Sequence, residues 1–129
     1  MRNLILILLI IILPIFAYIT LDKNKHKDII SVAQADNKPT VIIFSSAMCS
    51  DCAKMKKVIL FVEPDYKDKI DFIKIDAGSN ESNVRELVKK HSVYLVPTMV
   101  FLDKTGTQKF RTEGSMPKSE FEKKLKAIL

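Results

Sequence analysis

The 129-residue chain predicts an α/β domain in which parallel strands are joined by helices and an antiparallel hairpin closes the sheet. Three observations carry this. An apolar, β-branched run at 40–45 leads into apolar positions at helical spacing (Met55, Val58, Ile59, Val62), the succession of a strand and a crossover helix. The succession recurs with a strand at 69–76 and Val84, Leu87, Val88 and His91 at helical spacing beyond Glu81. Two further strand patterns then flank Asp103-Lys104-Thr105-Gly106, a hairpin turn.

The N-terminal end has a different character. Residues 4–21 read LILILLIIILPIFAYITL, without a charge, and cover about 27 Å at the helical rise, close to the hydrocarbon thickness of a bilayer. With no polar face the run is not a core helix, so residues 1–21 are expected to form a signal-anchor or transmembrane segment and 22–27 a linker. Pro14 is tolerated in such a helix. Ala33-Gln34-Ala35 before Asp36 fits a small-x-small cleavage pattern, but a long Lys-containing stretch separates it from the apolar run. An uncleaved anchor is therefore expected, with a cleaved and secreted form as the alternative.

Within 28–129 each element has a local cause. Asp28 is available to cap a short helix over 28–35, which Asn37-Lys38-Pro39 ends. The strand at 40–45 is apolar nearly throughout, the pattern of a central strand covered on both faces. The helix that starts at the cysteines is expected to run to Glu63, with Pro64 stopping it and Lys54, Lys56 and Lys57 facing water. In the second strand Ile70, Phe72, Ile73 and Ile75 supply both faces, and Ala77-Gly78-Ser79-Asn80 makes the turn. Residues 98–102 and 107–113 are the hairpin strands, and Gly114 breaks the pattern. Pro117 opens a last amphipathic helix, with Phe121, Leu125, Ile128 and Leu129 inward and Lys118, Lys123, Lys124 and Lys126 outward.

The net charge of +6 excludes little, because Lys alternates with Asp and Glu; beyond residue 35 there are 17 basic and 13 acidic side chains, or +4. No Arg-rich stripe or interleaved aromatic platform is present, so no nucleic-acid surface is expected. The cluster Lys23, Lys25 and Lys27 is placed to meet anionic lipid headgroups.

Both cysteines fall in Cys49-Ser50-Asp51-Cys52, at the strand-to-helix turn. At a helix N-terminus Cys49 meets unpaired N–H groups and the positive end of the dipole, which stabilise a thiolate. Cys52, one turn later and more buried, is within reach of the Cys49 sulfur, so Cys49 is the expected nucleophile and Cys52 the resolving thiol. Two readings compete with this. A structural pair is one; half of a zinc site is the other, and it needs two more ligands, which His26 and His91 are not placed to supply. No metal and no bound cofactor are expected. Asp51, between the cysteines, either tunes or exchanges their protons through water or is a helix-start acid facing the dipole.

Over about residues 28–129 the chain resembles the thioredoxin superfamily, and more closely the membrane-associated thioredoxin-like domains similar to the C-terminal domain of transmembrane thiol-disulfide reductases. The residues that carry the resemblance are Asn37-Lys38-Pro39, Cys49-Ser50-Asp51-Cys52, Lys74-Ile75-Asp76, Val96-Pro97-Thr98, Phe101-Leu102-Asp103-Lys104-Thr105-Gly106 and Gly114. It implies a thioredoxin fold with a central mixed four-stranded sheet flanked by helices. It also implies a cis proline at Pro97 against the cysteine pair, so that Met48, Val96 and Pro97 form the substrate-binding wall. Two residues depart from the pattern. Met48 stands where thioredoxins usually carry a Trp, and Ile43 where they carry a buried acid that assists proton transfer.

The expected activity is thiol-disulfide exchange that reduces disulfides of exported proteins, apocytochromes awaiting haem among them. Electrons would come from a membrane reductase, since no nucleotide or flavin fingerprint is present. The absence of His or Pro between the cysteines, together with Asp51, points to reduction rather than oxidation. The alternatives are a disulfide oxidase or isomerase, or a non-catalytic thioredoxin-fold module that binds a metal or partner. An extracytoplasmic domain, periplasmic or extracellular, fits the persistence of disulfides there. The lysines after the apolar segment oppose that placement under the positive-inside rule.

Overall fold

In the computed structural model, residues 8–15 and 37–129 are described. Residues 8–15 are helical with exposed apolar side chains. The rest of the predicted anchor (1–21), the linker (22–27) and the short helix with its cap Asp28 lie outside the described residues. Among the described residues no helix is long and apolar enough to cross a membrane.

The first strand, β1 (Thr40–Ser45), is central because almost every residue in it is apolar. Val41, Ile42 and Phe44 are fully buried, so both faces of the strand are covered. Helix α1 (Ser50–Tyr66) carries the chain over one face to β2 (Asp71–Asp76), which pairs parallel with β1 from Thr40↔Asp71 to Ser45↔Asp76. Helix α2 (Ser82–Lys90) leads to β3 (Thr98–Leu102), which runs antiparallel to β1 and continues into β4 (Gln108–Glu113). Helix α3 (Lys118–Ile128) closes the chain. The strand order is β2-β1-β3-β4, a mixed four-stranded sheet.

Alternation along β1 and β3 divides the core into two layers. Val41, Ile43, Met99 and Phe101 face α1 and α3, where Met55, Ile59, Val62, Phe121, Leu125 and Ile128 meet them. Ile42, Phe44, Val100 and Leu102 face the other way, toward Val84 and Leu87 of α2. Phe101 is an edge-on partner to both Phe110 and Phe121, with ring centroids 6.3 and 5.9 Å apart.

Three local expectations change. Pro64 lies inside α1, which continues to Tyr66. Leu60 and Pro64 are both on the solvent side, so the carbonyl that the proline leaves without a donor faces water. Leu129 is 53% exposed, because the helix ends at the buried Ile128 and Leu129 lies beyond its last turn. Lys124 does not simply point outward; its ammonium lies over the Phe110 ring, 5.2 Å from the centroid.

Candidate redox site

The site begins where β1 ends. Cys49 is the N-cap of α1, with extended backbone (φ −101°, ψ 117°), so its own carbonyl accepts the first helical bond, from Ala53 N–H at 3.2 Å. Its sulfur sits where a capping oxygen usually does and accepts from the Cys52 N–H at 3.1 Å. A helix N-terminus offers donors that the helix itself cannot satisfy, and here one of them points at the reactive atom. Cys49 and Cys52 are joined as a disulfide, with their Cα atoms 5.1 Å apart. Cys49 is half-buried, while Cys52 is 6% exposed and faces the core. This asymmetry separates an outer sulfur that a partner can reach from an inner one that it cannot.

The second wall comes from the loop before β3. Helix α2 ends through Ser92, a non-glycine residue at φ 49°, and the Val93 N–H returns to the Val88 carbonyl at 2.9 Å, the wrap of a Schellman end. The Val96–Pro97 peptide bond is cis. The Val96 carbonyl oxygen lies 3.4 Å from the Cys49 sulfur, a contact that becomes a hydrogen bond when that sulfur is a thiol. Two bonds hold the loop: Thr98 Oγ1 donates to the Leu95 carbonyl at 2.6 Å, and the Gly114 N–H donates to the Pro97 carbonyl at 2.8 Å. Gly114 makes its bond at φ 85°, a conformation that a side chain would strain.

Of the residues singled out from the sequence, Cys49, Cys52, Val96 and Pro97 converge. Met48 is fully exposed on the turn before Cys49. Asp51 lies in the first turn of α1, and its Oδ1 takes the Lys54 ammonium at 2.9 Å on the exposed side. That is the arrangement of a helix-start acid. His91 belongs to the end of α2, with its ring tilted against Phe44 at 5.7 Å. Among the described residues, no group of three or more His, Cys, Asp and Glu side chains is placed to hold a metal.

Sequence reasoning did not find the groove behind the disulfide. It has a volume of about 520 Å3, and Cys49, Cys52, Ile43 and Pro97 share its lining with Lys56, Lys74 and Asp76. The parallel register places Lys74 beside Ile43 and Asp76 beside Ser45 on the α1 face, information that no local pattern carries. Lys56, expected to face water, stands one helical turn after Cys52, while Lys74 and Asp76 belong to a stretch that carries the resemblance without a hint of the groove.

A parallel β1-α1-β2 unit, an antiparallel β3-β4 pair and a Cys-x-x-Cys disulfide at the first strand-to-helix turn define a thioredoxin-fold protein with a paired-cysteine site. The chain belongs to the Thioredoxin-like domain family, whose model matches residues 26–129. It is 26% identical over 98 residues to the thiol:disulfide interchange protein TxlA of Synechococcus elongatus, covering 76% of this chain and 50% of that one. The chain thus spans about half the length of that relative. A thioredoxin of Griffithsia pacifica is 24% identical over 99 residues, covering 76% of this chain and 82% of the relative. Among solved structures, thioredoxin NaTrxh of Nicotiana alata superposes with a TM-score of 0.66 at 28% identity, over 81% of this chain and 85% of that chain.

Proposed function

We propose that the chain is a thiol-disulfide oxidoreductase working as a reductase of protein disulfides, tethered to a membrane through residues 1–21 with its domain on the extracytoplasmic face. The observation that carries the exchange chemistry is the Cys49 sulfur at the N-cap of α1, held by the Cys52 N–H on one side and facing the Val96 carbonyl on the other. The reduced form attacks with the Cys49 thiolate. A Cys49–substrate bond forms, the substrate disulfide breaks, and the departing substrate sulfur takes up a proton from water. Cys52 then loses its proton and attacks the Cys49 sulfur; the Cys49–Cys52 bond forms and the second substrate sulfur leaves. The substrate gains two electrons and the dithiol loses two.

Met48, Val96 and Pro97 form the surface against which the substrate chain lies. Exported proteins are the substrates, and a membrane reductase returns the electrons. Support comes from the relative named as a thiol:disulfide interchange protein and from the charge-free run at 4–21.

Equilibration of the purified domain with glutathione tests the direction. A potential closer to about −270 mV than to about −120 mV is expected, and the reverse would sink the reductase reading. Labelling of Cys49 in intact, reduced cells by a membrane-impermeant thiol reagent tests the side; labelling only after lysis would place the domain in the cytoplasm.

A further inference from the structure

The groove behind the disulfide is lined by the buried Cys52 and, among the described residues, by no buried acid; its Asp76 is exposed. Cys52 is 6% exposed and Ile43 beneath it 3% exposed, so burial alone would disfavour the Cys52 thiolate that the resolving step requires. We propose that Lys56 is the positioning charge for this step: its ammonium stabilises the thiolate of Cys52. The inference rests on the dithiol reading above.

Two independent observations carry it. Lys56 follows Cys52 by four residues on α1, a spacing that stacks two side chains on one helix face with Cβ atoms about 5–6 Å apart. It also lines the same groove as Cys52, so the two residues border one space.

The other charges decide how much Lys56 matters. Lys74, across the groove on β2, is paired with Glu63 at 2.6 Å, so its charge is largely compensated. Asp76, also on β2, gives its Oδ1 to the Gly78 N–H at 3.0 Å, and its negative charge acts against a thiolate. Asp51 is occupied by Lys54. The loop before β3 contributes Pro97 to the lining and no charge. Among the described residues, no hydrogen bond or ion pair engages Lys56, which leaves it as the uncompensated cation of the groove. In the resolving step the Cys52 proton passes to water in the open groove, the thiolate forms beside Lys56, and its electron pair makes the bond to the Cys49 sulfur as the substrate sulfur leaves.

The test titrates Cys52 directly in the full chain carrying Cys49→Ser, following the 13C chemical shift of the Cys52 Cβ against pH. Lys56→Met is expected to raise the midpoint by about one pH unit, and Lys56→Arg to restore it. In about 1 M salt, with Lys56 in place, the midpoint is expected to rise as well. An unchanged midpoint in Lys56→Met and in salt overturns the inference. So does a Lys56→Arg midpoint that follows Lys56→Met, or a shift produced by Asp76→Asn and not by Lys56→Met. Because the titration reads the thiol itself, its failure is distinct from failure of the reductase reading, which disulfide turnover and the glutathione equilibrium report.

Discussion

Arg111 on β4 and Ser92 at the end of α2 are joined by a hydrogen bond of 3.0 Å from Nη2 to the Ser92 carbonyl, while Nη1 donates to the carbonyl of His91. The same guanidinium pairs with Glu113 at 2.9 Å. One cation thus satisfies carbonyls that the end of a helix leaves without partners, and it does so at the entrance to the loop carrying Val96 and Pro97.

Replacing that cation should therefore loosen the loop. Arg111→Met is expected to lower stability by about 2 kcal/mol in urea denaturation, the range for hydrogen bonds to charged groups. It should also speed amide exchange at Val93. Unchanged exchange there would show that the loop is held by its own bonds.

His91 links stability to pH. Its pKa is held below the ordinary imidazole value, first by burial and then by the neighbouring charges of Lys90 and Arg111. Its Nε2 is buried without a hydrogen-bond partner. The unfolded chain accordingly binds this proton at higher pH than the folded one does. The stability contribution is complete above about pH 6.5 and is lost as pH falls below it toward the depressed folded value. The urea midpoint should fall from pH 7.5 to pH 5, and His91→Phe should flatten that fall. Equal slopes for the two proteins would count against this account.

Asp103 produces the same sign at lower pH. The Thr105 hydroxyl, then the Thr107 amide, Lys109 and the Thr105 amide, hold its carboxyl well below the usual carboxylate range, against an opposing effect of burial. The hairpin turn gains from that carboxylate above about pH 4 and loses it as pH falls further. Asp103→Asn should lower the melting temperature at pH 7 and have less effect at pH 2. An equal loss at both would assign the effect to shape rather than charge.

Phe121 is fully buried against the edge of Phe101. Phe121→Ala should cost about 3–5 kcal/mol, read from the urea midpoint, through lost burial and the cavity left behind. A loss under about 1 kcal/mol would mean that α3 closes over the gap.

The order of chemical steps is visible in trapped intermediates. Cys52→Ser keeps the attacking sulfur and removes the resolving one, so covalent complexes with a disulfide substrate should accumulate on a non-reducing gel. Cys49→Ser should form none. The reverse pattern would exchange the two roles.

What could be read from the sequence follows the range of the interactions. The apolar period of β1 and β3 and the turn residues at 103–106 are local signals, and the corresponding strands lie where those signals place them. The position of Cys49 at the start of α1 was legible for the same reason, since the switch from strand to helix period brackets it. Pro64 misled because a proline disfavours a helix only through one donor and one clash, and a solvent-facing last turn absorbs both. The Val96 carbonyl against the Cys49 sulfur, and Lys74 and Asp76 in the groove, depend on register between segments far apart in sequence. No period within one segment contains that information.

The central place of β1 has a consequence for how this protein signals its own state. The strand is paired on both edges and covered on both faces, and the disulfide hangs from its end. Opening or closing one bond between residues three apart leaves those four supports untouched. The oxidised and reduced forms should therefore share one silhouette. A partner that distinguishes them is then expected to sense the sulfurs and their charge at the turn itself.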